Sequence, residues 1–261
     1  MVCLHKTHYF YIINSCNDSE IHSQNRRRTN DYERKADRAE TSMNQEWAEL
    51  IKLSHEHLSH KETFSDGLEI LYVLRHEIME EYDRMKQELT EEAFSTMPFM
   101  NANGYHNKTI AYSIYHTFRI EDIVANTLIL ERKDIFTTGN YKERLNSSII
   151  TTGNELVKEE IAAFSEKLNL DALYEYAHSV DRATQMMLRR MSFEDLKTRM
   201  KETDKEKLRT LQVVSPDPEA EWLIDYWCSK NIKGLIKMPF SRHWIMHVEA
   251  AKRIEDKIKK R

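Results

Sequence analysis

The chain has 261 residues, 40% apolar and 31% charged, and a formal net charge of −4 with histidines neutral. That length suits one large domain or two small ones, and the acidic balance weighs against a protein whose main work is gripping phosphate backbones. With 5 glycines and 4 prolines, the chain cannot make the many tight turns of a strand-rich fold, so the composition favours long helices.

Residues 1–42 carry no helical stripe that lasts three turns. Their "NDSEIHSQNRRRTNDYERKADRAETS" is polar and mixed in charge, too poor in apolar side chains to order itself. This segment is expected to be a disordered tail, with Arg26, Arg27 and Arg28 either solvated or serving as a partner-binding arm. The domain is expected to span 43–261, and Met43 is a candidate start.

A short helix is predicted over about 44–56, then a long one over about 63–90. Phe64, Leu68, Leu71, Leu74, Ile78, Tyr82, Met85 and Leu89 recur there in steps of three and four, a bundle-type stripe. "STMPFMNANGYHN" breaks it. The next helix runs over about 108–130, followed by a loop segment from "TTGN" to "TTGN". Helices follow at 154–167 and 170–190, separated at Leu168-Asn169. "SFEDLKTRM" reads as a helix N-capped at Ser192, with Asp195 three residues later. A helix over about 218–235 and a last one over 239–259 complete an all-α chain. Four long helices (63–90, 108–130, 170–190, 239–259) suffice for a four-helix bundle with additional short helices.

Cys3, Cys16 and Cys228 are too few and too scattered for a disulfide framework or a thiolate zinc site. A reducing, cytoplasmic setting is the expectation. The apolar burst in "LHKTHYFYIIN" lacks the length of a membrane span and the cleavage site of a signal peptide.

The histidines carry the functional signal. Thr109, Tyr112, His116, Ile120, Ile123, Thr127 and Leu130 share one face of the 108–130 helix. On the last helix, His243, Met246, His247, Ala250, Ala251, Ile254 and Ile258 form the apolar face. So three imidazoles from two helices are predicted to face one interior. Buried imidazoles need partners for both ring nitrogens. Either ordinary core hydrogen bonds supply them, or a divalent cation does, taking neutral imidazole nitrogen as ligand. The other histidines fit worse: His55, His57 and His60 read as a solvated helix end, and His76 as exposed.

"YSIYHTFRIEDIVANTLI" and "WLIDYWCSKNIKGLIKMPFSRHWIMHVEAAKRI" resemble the two signature segments of the DinB/YfiT-like superfamily of bacterial four-helix proteins. That pattern sets one histidine on the second bundle helix and H-x-x-x-H on the last, positions held here by His116 and by His243 with His247. The resemblance implies a trihistidine site for a divalent metal, often zinc or nickel, and an activity as hydrolase or thiol-dependent S-transferase. A low-molecular-weight thiol such as bacillithiol or mycothiol would be the cosubstrate of the latter, and a homodimer is common in the family. The extra helices near 154–212 set this chain apart from the compact members. The alternative is a non-catalytic metal-binding or stress-response bundle; a DNA-associated damage protein is suggested by the family name alone.

On this reading the substrate is a small molecule. Tyr112, one turn before His116, either lines the pocket or packs the core. Arg119 and Asn126 are candidates to contact substrate or the ligands, or else plain helix-edge polar residues. Glu121 and Asp122 point away from His116 on a helical wheel and are not offered as a base. Trp222, Tyr226 and Trp227 either pack the bundle or wall a cavity.

Overall fold

Phe64–Glu88 forms the longest helix of the fold, and its predicted stripe is the reason. Leu68, Leu71, Leu74, Ile78, Tyr82 and Met85 are buried on one side, while Val73 and His76 face water. The computed structural model describes residues 45–102 and 106–260. The expected tail at 1–42 and the candidate start at Met43 lie outside these. The unit Glu46–Arg261 is compact and helical. We label its α-helices in chain order: α1 (45–57), α2 (Phe64–Glu88), α3 (Glu91–Ser95), α4 (Ile110–Asp122), α5 (Ile135–Thr138), α6 (Tyr141–Arg144), α7 (Glu159–Lys167), α8 (Leu170–Arg190), α9 (Glu202–Leu211), α10 (Pro218–Cys228), α11 (Ile232–Lys237) and α12 (His243–Lys259). No described helix is long and apolar enough to cross a membrane.

The four long helices pack on one another: α4 against α8 and α12, and α2 against α8 and α12. Helix starts follow the sequence. Thr109, Asn169, Asp217 and Asn231 each accept a backbone N–H of the first turn of α4, α8, α10 and α11, satisfying donors that lack an intrahelical partner. At Gly67 the backbone of α2 approaches the end of α1, and an added Cβ would stand 2.7 Å from the Leu58 nitrogen.

Several sequence expectations change. The helix expected from Ser192 is a short 3-10 turn, Glu194–Lys197. The loop segment after the 108–130 helix contains α5 and α6. The helix expected at 154–167 starts only at Glu159. The helix expected at 218–235 is broken at 229–231, where Asn231 pairs with Arg199 and the Ile232 N–H donates to the Thr198 carbonyl. α11 then continues through a wide π turn, Met238–Arg242, straight into α12. Pro239 explains the π turn: with no N–H and with a ring that crowds the preceding turn, proline does not fit an α-helix interior. The Ser241 hydroxyl donates to the Ile236 carbonyl at 2.9 Å.

Helix α4 departs from the predicted one-sided stripe. Every residue from Ile110 to Asp122 is buried, and the helix continues as a π segment, Ile123–Ile129. Its polar residues therefore sit inside the protein, and its charged ones are paired. Arg75 of α2 is fully buried and donates to both oxygens of Glu121 (2.6 and 2.9 Å), to Asp181 of α8 (2.7 Å) and to the Phe240 carbonyl in the π turn (3.0 Å). Burial works against its charge, but the two carboxylates outweigh that and raise its pKa. Trp244 Nε1 donates to Glu121 at 2.7 Å, and the guanidinium lies 4.0 Å from the centre of the Trp244 ring. One cation thus ties all four long helices.

Candidate metal centre

The turn at Pro239 and the clamp from Arg75 set the roll of α12. His243 and His247, one turn apart, look across to His116 on α4. Ring centres are 5.0 Å apart for His116 and His243, 4.8 Å for His116 and His247, and 4.5 Å for His243 and His247. All three residues are buried. Their available ring nitrogens lie within 4.8 Å of one another. Nitrogens at about 2.1 Å from one tetrahedral cation stand about 3.4 Å apart, so the rings must close by roughly an ångström to bring the set to bonding distance.

The donor chemistry fits a cation. His116 Nδ1 is 2.8 Å from the Thr152 carbonyl. A carbonyl only accepts, so Nδ1 carries the proton and Nε2 keeps its lone pair. His243 Nδ1 and His247 Nδ1 are buried with no hydrogen-bond partner among the described residues, a state that costs about 1–3 kcal/mol per group when nothing compensates. Burial lowers the pKa of His116 to about 4, against the Thr152 hydrogen bond and with help from the Lys108 charge. Burial, together with the neighbouring histidines, pushes His243 and His247 well below the ordinary histidine value. All three are therefore neutral, the form that coordinates metals.

The cluster opens into a cavity of about 780 Å³, within the usual size for a small-molecule site. Tyr112 lines it and stacks on His116, ring centres 5.4 Å apart and planes within 10°. Its hydroxyl donates to the Gly153 carbonyl at 2.9 Å. Trp222 and Tyr226 form part of the wall, with Trp222 half exposed; Trp227 reaches the cavity from the core.

Two expected pocket residues lie elsewhere. Arg119, three residues after His116, turns toward another flank of α4. There it pairs with Asp134 at 2.9 Å and donates to the Ile150 carbonyl. Asn126 donates to Asp122 at 2.7 Å and accepts from Arg132 at 2.8 Å, closing the chain reversal after the π segment. Neither borders the histidine cavity. Arg119 instead borders a separate cavity of about 300 Å³ with Asp134, Ile150 and Lys207. Asp122 is likewise engaged, accepting from the Ile135 and Phe136 N–H groups and from Tyr176. His55 also differs from its solvated reading. It is half-buried, its Nε2 is 3.0 Å from Ser241 Oγ, and burial first, then Lys237 and Arg242, lowers its pKa to about 4.

Sequence reasoning missed Thr152, Asn154 and Lys108. Thr152 acts through its main-chain carbonyl, which no residue type announces. Its hydroxyl donates to Asn154 Oδ1 at 2.8 Å, and Asn154 borders the cavity, as does Lys108. The one available signal was position: Lys108 directly precedes the cap of the histidine-bearing helix.

No protein-family model matches the chain, and no curated protein matches it. Among solved structures, it is similar to a crystal structure of a conserved protein from Enterococcus faecalis. The two are 14% identical over 80% of this chain and 97% of the other, with a TM-score of 0.50. At that identity the likeness speaks to the fold alone.

Proposed function

We propose that His116, His243 and His247 hold a divalent cation, zinc or nickel by preference, in a metal-dependent enzyme of the DinB/YfiT-like kind. The reaction is hydrolysis or thiol-dependent S-transfer on a small molecule. The observation that carries this reading is a buried group of three neutral imidazoles, two with orphaned nitrogens, at the end of a cavity large enough for substrate. A divalent cation in such a shell lowers the pKa of a coordinated water or thiol and supplies a nucleophile near neutral pH.

The chain's own residues prepare that chemistry. The Thr152 carbonyl fixes the His116 tautomer. Tyr112 holds the plane of the same ring by stacking. Trp222 and Tyr226 give the substrate an apolar surface. Cys228 is not the nucleophile: it is buried with the apolar core, which pushes its thiol up to about 11.

Elemental analysis of untagged protein tests the proposal. One zinc or nickel per chain is expected in wild type, and none in His116→Ala or His247→Ala that still show a helical spectrum. Metal-free wild type after refolding with excess zinc and nickel would refute the site. Activity on simple esters or amides, or transfer of a small thiol to an electrophile, then separates the two reactions. Bound metal with neither activity, and loss of fold on chelation, would mark a purely structural ion.

A further inference from the structure

Lys108 has no role in the mechanism above, yet it occupies a costly position. Its side chain is partly buried, and burial alone lowers its pKa. No described carboxylate pairs with it. Its ammonium group stands 5.1 Å from the centre of the Tyr112 ring, whose other neighbour is His116. Its charge reaches both His116 and His247. A cation just before the N-terminus of α4 also lies at the wrong end of the helix dipole, so helix stability does not account for it. Most other inward-facing cations of the fold are matched: Arg75 by two carboxylates, Arg119 by Asp134, Lys252 by Glu81.

The rest of the cavity tells what Lys108 awaits. Leu156, Leu223, Met246 and the Trp222–Tyr226 pair supply apolar wall. The Asn154 amide supplies a polar contact, its oxygen already engaged by Thr152, which leaves its NH2 to donate. Glu219, the one acidic group on the lining, is exposed at the mouth, where water screens it. The lining is therefore cationic at Lys108 and hydrogen-bond donating at Asn154 inside an apolar surround, while Glu155, which accepts from the Thr151 hydroxyl, is not part of it.

Resting on the reading of this cavity as the substrate site, we propose that it selects small organic carboxylates: Lys108 pairs with the carboxylate, Asn154 donates to it, and the apolar body lies against Trp222 and Tyr226 with its reactive end toward the histidines. Lys108 is here a substrate-binding and specificity residue.

The test compares 4-phenylbutanoate with its neutral amide, 4-phenylbutanamide. Both are titrated at pH 7.5 into chelator-treated full-length protein, so that direct ligation of the carboxylate to a metal is absent. Binding is followed by intrinsic tryptophan fluorescence and by calorimetry. Wild type should favour the carboxylate by about tenfold, roughly 1.4 kcal/mol. Lys108→Met should erase the preference and leave the affinity for the amide unchanged; Lys108→Arg should retain it. Equal affinity for the two probes in wild type, or binding of neither, overturns the proposal without recourse to any variant. A preference that survives in Lys108→Met overturns the assignment of Lys108. Metal content of the same preparations before chelation keeps the two ideas apart. Stoichiometric metal without carboxylate preference sinks the selectivity and spares the metal centre. Carboxylate preference in a protein that never binds metal does the reverse.

Discussion

Gly153 shows how closely single residues are set around the histidines. It adopts φ +80°, and an added Cβ would lie 3.1 Å from Tyr112 Cε2. Gly153→Ala should cost about 1–2 kcal/mol of backbone strain. It should also weaken metal binding, because it disturbs both the Tyr112 ring and the adjoining Thr152 carbonyl; urea melts and a competitive zinc titration check both effects. The buried imidazoles make a separate prediction for pH. His116 has a folded pKa of about 4 against about 6.5 for a free histidine. The unfolded chain therefore takes up the proton first as pH falls. In the metal-free protein the stabilisation is complete above about pH 6.5 and drains away toward pH 4, a loss on the order of 3 kcal/mol from His116 alone. His243, His247 and His55 act in the same direction. Urea midpoints should fall between pH 7 and pH 4.5, and less steeply in His116→Gln; a flat profile across that window would contradict the burial of these rings.

At the scale of elements, the Arg75–Glu121–Trp244 group is the joint between the ligand-bearing helices. Glu121→Gln leaves a buried guanidinium short of charge, and breaking such a pair costs about 3–5 kcal/mol. Because Arg75 also holds the Phe240 carbonyl three residues before His243, the same change should lower zinc affinity; unchanged affinity in a folded Glu121→Gln protein would show that the joint does not position α12. This group also marks where the sequence could be read and where it could not. The helix 170–190 is predicted with the bounds observed, since Asn169 caps it and its apolar spacing is regular. The three histidines fall on inward faces because H-x-x-x-H and the stripe around His116 are local patterns. A wheel drawn for one helix cannot tell that its far side is also covered. Arg119, Glu121 and Asn126 look like an outer edge until α8, Arg132 and the segment after α4 are placed against them. Breaks set by tertiary pairing, such as 229–231, are equally silent in local propensity.

For the whole molecule, the cavity and its three imidazoles draw residues from both halves of the described fold, so ligand binding and global stability are coupled. A cation held only by the folded state stabilises it by RT ln(1 + [M]/Kd), about 2.7 kcal/mol at one hundred times Kd. Zinc should therefore raise the melting temperature of chelator-treated wild type by several degrees and leave His247→Ala where it was, as scanning calorimetry would record. Equal shifts in both proteins would place the binding elsewhere. The interlocked ion pairs of Arg84 with Glu81 and Glu255, and of Lys259 with Glu255 and Glu88, fasten α12 to α2 and should keep that transition a single one.

The widened turn Met238–Arg242 fits one residue more than an α turn into about the same sweep. Tightening it to α geometry with all five residues kept, as Pro239→Ala would permit, turns everything downstream by roughly one residue's step, about 100°. His243 and His247 would then swing away from His116, and Trp244 would lose Glu121, although every ligand remained present. Deleting one residue together with the proline would cancel that rotation, so the ligand face depends on the residue count and the wide turn being matched to each other.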